Sequence, residues 1–368
     1  MDSEVELENG GIKVDGELGW GKSLPVPSVQ EMVRNDSEFV PERYIQESKD
    51  RPLDSTFYPK FNEIPVIDLT LLIHGDEDEL HKLDFACKEW GFFQIINHGV
   101  PEEVLGEMKA VVADFFNLPL EEKKKYAMAE NDLQGYGQAY VVSEDQKLDW
   151  GDLIYLMTSP LEARNMKYWP TTLSGFKEAV EEYSREIERV SEEIMASMSL
   201  LMGMDKNGLK RLHVVRKQSM RMNYYPPCSK PDLVLGVSPH SDGGSITLLL
   251  QDDDITGLQI RYKGTWLPVK PIPNALVVNI GDVVEAWSNG KYKSIEHRAV
   301  TNENKARMSI ATFVIPHEGI ELGPVESMMQ DQPRMYKTMK YLDYIIHSLG
   351  RKMDGKAHTN FLKLENES

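Results

Sequence analysis

The residues with the most chemical potential lie in "VSPHSDGGSITLLLQ", Val237 to Gln251. His240 and Asp242 stand two apart in a run that otherwise reads as β-strand. Residues i and i+2 of a strand share a face, so an imidazole and a carboxylate would project together. Such a pair supplies two cis ligands to a metal ion. "YKSIEHRAV" offers a third, His297, mid-strand between apolar neighbours. Taken alone, His-x-Asp also reads as a hydrogen-bonded core pair or a surface loop. A second cluster favours a site. "ARMSIATF" places Arg307 and Ser309 two apart on another strand, ten and twelve residues beyond His297. The polar stretch Asn302–Lys305 would turn the chain back and make these strands hairpin neighbours. An arginine on an otherwise apolar strand is costly without an anion, and its planar fork matches a carboxylate.

Two histidines and one carboxylate form a facial triad that leaves coordination positions open, the arrangement of non-haem Fe(II) oxygenases. Gly243 and Gly244 would keep the backbone bare beside the ion and permit an unusual turn. The client that fits both clusters is a dicarboxylate, one end on iron and the other on Arg307.

The elements that must hold these residues follow from periodicity. After Gln218 the pattern is period two: "MRMNYYP", "LVLGVSPH", "SITLLLQ", "GLQIRY", "TWLPVK", "ALVVNI", "IEHRAV" and "RMSIATFVI" all read as strands. Eight short strands at close spacing predict a double-sheet jelly roll or barrel. Before Gln218 the chain reads as mainly helical. Ser28 caps a short helix, "IPVIDL" is a buried strand, and "DELHKLDFACKEW" is a helix with Leu80, Leu83, Phe85 and Cys87 on its apolar side. Gly91 ends it, and "GFFQIINHG" is a strand. Helices follow from Glu102 to Phe116 and from Gly175 to Met202, the latter with apolar residues every three or four positions. A last helix spans Arg334 to Ser348. The expected fold is mixed α and β: a double-stranded β-helix core with flanking helices, mainly from the N-terminal half. Its expected organisation is a disordered tail over 1–23, a helical region over 24–217, the jelly roll over 218–318, and a C-terminal helix and tail over 319–368.

Composition narrows the partners. The chain has 368 residues, 41% hydrophobic and 27% charged, enough to bury a core. A net charge of −18 argues against nucleic acid or an anionic membrane and favours a small-molecule substrate. It also fits a soluble monomer. Two cysteines without a Cys-x-x-Cys pair exclude a zinc ribbon and indicate no disulfide framework. With no signal-like N-terminus and no apolar run of membrane length, the expected location is cytoplasmic.

Together, "NYYPPC" (223–228), "HSD" (240–242), "NIGDVVEAWSNGKYKSIEHR" (279–298) and "RMSIATF" (307–313) resemble a plant 2-oxoglutarate- and Fe(II)-dependent dioxygenase of specialised metabolism. "IPVIDL" and "CKEWGFFQIINHGV" extend the resemblance toward the N-terminus, so that it covers about residues 25–350. Within the family, the chain is similar to the senescence-related, alkaloid O-demethylase and norcoclaurine-synthase-like branch. The resemblance implies iron on His240, Asp242 and His297. It implies 2-oxoglutarate on Arg307 and Ser309, with a hydroxyl from Tyr225 and an amide from Asn223. Without it, "NYYPP" reads as a strand ending at a diproline turn. It implies O2 as oxidant, ascorbate as reductant, and succinate and CO2 as products. Asp242 fills the ligand position that halogenating relatives leave empty, so hydroxylation, O-demethylation or desaturation is expected. A norcoclaurine-type condensation with no net oxidation is the rival activity.

The family's substrate pocket maps onto Arg221, Phe313, and Leu153 and Tyr155 of "LDWGDLIY". Phe313 reads equally as an ordinary core residue. Flavonoid-oxidising relatives commonly carry an acidic residue where this chain has Ile315, which argues against a flavonoid and for an alkaloid-like or phenolic ring compound, with flavonoid or hydroxycinnamoyl oxidation as the alternative. Other polar residues read as structural: His98 as a turn cap, Asp282 as a loop former, "EEKKKY" from Glu121 as a solvated face, and Asp252–Asp254 as an acidic run without a calcium-loop continuation.

Overall fold

A computed structural model describes residues 23–52, 63–129, 132–330 and 332–364; the expected disordered tail, save residue 23, lies outside them. Twelve strands build the two sheets that frame the site. They are β1 (Val66–Asp68), β2 (Phe92–Ile96), β3 (Gly135–Gly137), β4 (Asp152–Ser159), β5 (Lys217–Tyr225), β6 (Val237–His240), β7 (Ile246–Gln251), β8 (Leu258–Tyr262), β9 (Thr265–Pro268), β10 (Leu276–Ile280), β11 (His297–Ala299) and β12 (Arg307–Ile315). One sheet has the order β1-β2-β10-β7-β12-β5-β4-β3, the other β6-β11-β8-β9. All eight strands expected after Gln218 are present, and the double-stranded β-helix is the core.

Among the described residues, ten α-helices surround the sheets: α1 (Val29–Asn35), α2 (Leu69–Ile73), α3 (Glu77–Phe85), α4 (Glu102–Asn117), α5 (Leu120–Lys124), α6 (Phe176–Leu201), α7 (Gly208–His213), α8 (Asp282–Trp287), α9 (Tyr341–Leu349) and α10 (Ala357–Leu362). Among the described residues, no helix is long and apolar enough to cross a membrane. The stripe Phe176, Val180, Tyr183, Ile187, Val190, Ile194 and Met198 of α6 is wholly buried. It joins one core cluster with Met220, Met222, Ile246, Leu248, Ile310 and Val314 from the large sheet. These strand residues alternate with the inward-facing polar ones, so the sheet is covered by helices on one face and builds the site on the other.

The N-terminal segment is fastened to this frame. Ser28 caps α1 by accepting from the Glu31 N–H, and the buried Asp152 of β4 accepts from the N–H groups of Val29 and Gln30. A carboxylate at a helix N-terminus satisfies donors the helix cannot and opposes its dipole. β4, which carries two of the expected pocket residues, is thereby held at its start.

Several local expectations need correction. Phe85 is 53% exposed; the buried side of that segment is Leu83, Ala86, Cys87 and Trp90. The helix changes to a π-helical turn over Ala86–Trp90, which rotates the face that meets the core. Lys123 is not on a solvated face. It is buried, bonded to Gln30 and the Phe116 carbonyl, while Glu121–Lys124 and Glu122–Lys125 do pair at the surface. The last long helix begins at Tyr341, because Met339–Lys340 form a short strand, and α10 follows it. Asp282 opens α8 and is no loop residue.

Candidate active site

His240 is the last residue of β6 and pairs directly with His297, the first residue of β11. Asp242 lies just beyond β6, so it shares the site through the turn after the strand and not through strand alternation. One ligand atom from each of the three falls within 4.8 Å of the others. Asp242 Oδ1 is 3.6 Å from the Nε2 atoms of both histidines, whose ring centroids are 4.2 Å apart.

The surrounding bonds aim these atoms. His240 Nδ1 donates to the Ser238 carbonyl at 2.8 Å and His297 Nδ1 to the Ile295 carbonyl at 3.1 Å. Each ring then presents its Nε2 lone pair to the shared space. Asp242 Oδ2 accepts from Thr247 Oγ1 at 2.6 Å and Asn279 Nδ2 at 2.7 Å, leaving Oδ1 for the same space. Burial, then the neighbouring His297, holds His240 well below the usual imidazole pKa. Asp242 is also lowered: burial opposes ionisation, but the two imidazoles and the Thr247 and Asn279 bonds outweigh it. Three acceptor atoms converge with no donor among them, which is the chemistry a divalent cation needs. The signal for Thr247 and Asn279 was a polar residue inside an otherwise apolar strand.

Arg307 and Ser309 open β12, but not as a hairpin with β11. β12 lies in the large sheet between β5 and β7, and β11 in the small sheet between β6 and β8. The Asn302 side chain caps the N–H groups of Asn304 and Lys305 while the chain crosses from one sheet to the other. The two clusters therefore belong to opposite sheets.

Register places the remaining residues. Arg307 stands opposite Tyr225, Ser309 opposite Asn223, Ala311 opposite Arg221, and Phe313 opposite Ser219. On the other side of β5, Leu153 pairs with Asn223 and Tyr155 with Arg221. Arg307 is buried, with Nη2 bonded to Gln251 at 2.9 Å, its guanidinium carbon 5.5 Å from the Tyr225 ring centroid, and Nε without a hydrogen-bond partner among the described residues. A buried guanidinium with an open donor is the local signature of an anion site. Its backing is tight: a Cβ on Gly257 would lie 2.5 Å from Arg307 Cδ and 2.8 Å from Nε. Gly243 and Gly244 have no positive φ. Gly244 is bare because a Cβ would meet the Val314 carbonyl at 2.9 Å.

A cavity of about 270 Å³ opens beside His240 and Asp242. Leu153, Tyr155, Arg221, Phe313 and Ile315 all line it. The sequence reading missed its opposite wall, which comes from Tyr140 and from the C-terminal Tyr341, Tyr344, Ile345 and His358. No short-range spacing links those segments to the metal-site motif. Arg221 donates through Nε to Asn223 Oδ1 at 2.8 Å and makes no ion pair among the described residues, whereas Lys217 is paired with Glu318.

A double-stranded β-helix with this triad and this buried arginine defines a non-haem Fe(II)/2-oxoglutarate dioxygenase. Residues 216–316 match the 2OG-Fe(II) oxygenase superfamily, and residues 64–172 the N-terminal region described as non-haem dioxygenase in morphine synthesis. The chain is 44% identical over 353 residues to S-norcoclaurine synthase 1 of Coptis japonica, covering 94% of this chain and 98% of that one. It is 40% identical over 349 residues to oxoglutarate-dependent flavonoid 7-O-demethylase 1 of Ocimum basilicum, covering 94% and 93%. The crystal structure of JOX2 in complex with 2OG, Fe and JA superposes with a TM-score of 0.87 at 33% identity, covering 94% of this chain and all of that one. The chain belongs to the plant Fe(II)- and 2-oxoglutarate-dependent dioxygenases, in the branch that includes O-demethylases and norcoclaurine synthase.

Proposed function

We propose that this enzyme hydroxylates or O-demethylates a small ring-containing plant metabolite, alkaloid-like or phenolic, at the cavity beside His240 and Asp242. His240, Asp242 and His297 would hold Fe(II). Arg307, with Ser309, Tyr225 and Asn223, would hold the far carboxylate of 2-oxoglutarate. The bound ion supplies the redox chemistry that couples O2 and 2-oxoglutarate, released as succinate and CO2, to oxidation of a substrate C–H bond. The chain's own part is positioning. The Ser238 and Ile295 carbonyls fix the imidazole tautomers, and Thr247 and Asn279 turn one carboxylate oxygen toward the metal. Arg307 would fix the far end of the cosubstrate. The cavity walls would limit the access of bulk water to the reacting carbon. Where that carbon is an O-methyl group, hydroxylation gives a hemiacetal that loses formaldehyde.

The observation that carries this reading is the pairing of the converging triad with a buried Arg307 whose Nε has no hydrogen-bond partner among the described residues. A condensing enzyme with no net oxidation needs no dicarboxylate clamp. The cavity supports a ring compound: Tyr155 and Phe313 lie side by side on the sheet face, tilted, at a centroid distance of 6.5 Å, and aliphatic and aromatic groups dominate the rest. Arg221 supplies the cation at its edge, which suits a phenolic or carbonyl oxygen. Relatives named for flavonoid and for alkaloid chemistry are both similar, so the pocket must decide. Two free, buried cysteines support a cytoplasmic location, and the acidic balance supports a monomer. The test is a screen with Fe(II), 2-oxoglutarate and ascorbate across alkaloids, flavonoids, diterpenoid acids and hydroxycinnamoyl thioesters. Substrate-dependent succinate with alkaloids or simple phenolics is expected. A response to flavonoids or diterpenoid acids alone would overturn the substrate reading.

A further inference from the structure

Asp282, at the start of α8, belongs neither to the metal triad nor to the cosubstrate cluster. It is nonetheless 1% exposed. Its backbone N–H donates to the Asp242 carbonyl at 2.8 Å, and the next N–H, of Val283, to the Gly244 carbonyl at 3.1 Å. The start of α8 is thus pinned to the turn that carries Asp242. Its carboxylate reaches the opposite way as well. Oδ2 accepts from Ser241, between the two ligands, at 3.1 Å and from Tyr344 of α9 at 2.5 Å. Oδ1 accepts from Thr359 of α10 and is 3.5 Å from Lys356 Nζ. Thr359 Oγ1 is also 2.9 Å from Ser241 Oγ. Lys356 continues the network to Glu285 at 3.0 Å, and Glu285 accepts from Tyr336 at 2.7 Å. One carboxylate therefore joins the turn between His240 and Asp242 to both helices that close the cavity.

A buried carboxylate is costly unless bonds surround it, and its side-chain partners here lie 41 to 77 residues away in sequence. What sets this carboxylate apart from a simple anchor of α8 is where its partners sit: Ser241 lies between two of the triad residues, and Tyr344 and Thr359 lie on the two helices of the cavity wall. We propose that Asp282 is a positioning residue that couples loading of the metal and cosubstrate to the placement of the cavity wall formed by α9 and α10. It acts through Ser241 and Thr359 and touches neither the metal nor the substrate. The inference rests on the triad reading given above. Coupling between two sites is reciprocal: if loading the metal orders the wall, weakening the clasp must weaken loading by the same factor.

The experiment uses Mn(II) with 2-oxoglutarate as a redox-inert probe, and reads amide hydrogen exchange over residues 341–362 with and without it. In the wild type, loading should slow exchange there severalfold. Thr359→Val, which keeps the shape and removes the hydroxyl, should lose most of that protection. It should also bind Mn(II) and 2-oxoglutarate more weakly by a matching factor, while exchange in α6 stays native. Thr359→Ser should restore both. Asp282→Asn should give the larger loss. Equal protection in wild type and Thr359→Val, or none in a loaded wild type, overturns the clasp and leaves the triad standing. A wild type that binds no Mn(II) with 2-oxoglutarate overturns the triad reading and the clasp with it.

Discussion

One face of the large sheet serves two ends of the reaction, and the ends are built differently. At the cosubstrate end, Tyr225, Arg307, Asn223 and Ser309 are each 5% exposed or less and face one another in strict antiparallel register. At the substrate end, a few residues along the same strands, Arg221, Tyr155, Phe313 and Ile315 are only half-buried and look across the cavity at α9 and α10. The first end takes its shape from the β-ladder alone. The second is half ladder and half a wall from the far end of the chain. A ladder fixes the register and face of its side chains, and burial then holds them in place. A wall of helices can be re-shaped by changes that leave the ladder intact. The difference separates the part of the enzyme that must hold the same cosubstrate at every turnover from the part that chooses what is oxidised.

Substitutions should divide along this line. The largest effect is expected where the two ends meet. Asp242→Ala should reduce turnover to background and abolish the weak visible band that Fe(II) and 2-oxoglutarate give without oxygen; a wild-type band would remove Asp242 from the ligand set. Arg307→Lys keeps the charge and loses the fork. A charge-assisted bond is worth roughly 1.5–3 kcal/mol, so the KM for 2-oxoglutarate should rise about tenfold or more, with that for the prime substrate little changed. An unchanged 2-oxoglutarate dependence would place the carboxylate elsewhere. The smallest effect belongs to the substrate end. Phe313→Ala removes a ring contact of about 0.5–1.5 kcal/mol and should raise the prime-substrate KM a few-fold, leaving the 2-oxoglutarate KM alone. If the 2-oxoglutarate KM rises instead, the two ends are not separable.

The same contrast explains what could be read from the sequence. Residue type and period-two spacing pointed to His240, Asp242, His297, Arg307 and Ser309, and to every strand that holds them. Period two says which face a residue occupies, but not which sheet. The expected β11–β12 hairpin therefore became two strands in opposite sheets. Asp242 reached its place through a turn, which strand periodicity does not describe. The C-terminal wall was hidden for a different reason. Tyr341, Tyr344 and His358 carry no pattern tying them to residues a hundred positions earlier; only the folded contacts do. Lys123 was misplaced because a charged run usually faces water, and here one of its members found buried partners in α1 and at the end of α4.

Gly257 stands just before β8 in the small sheet and packs against the Arg307 side chain. It does not line the substrate cavity, and no chemistry would be assigned to it. A single methyl group there would nevertheless push the guanidinium off its seat. Random mutagenesis of this enzyme would thus recover a cosubstrate-binding lesion at a glycine that an inspection of the pocket passes over. Engineers who recombine the small sheet between relatives, intending to change only what is oxidised, would be altering the grip on 2-oxoglutarate.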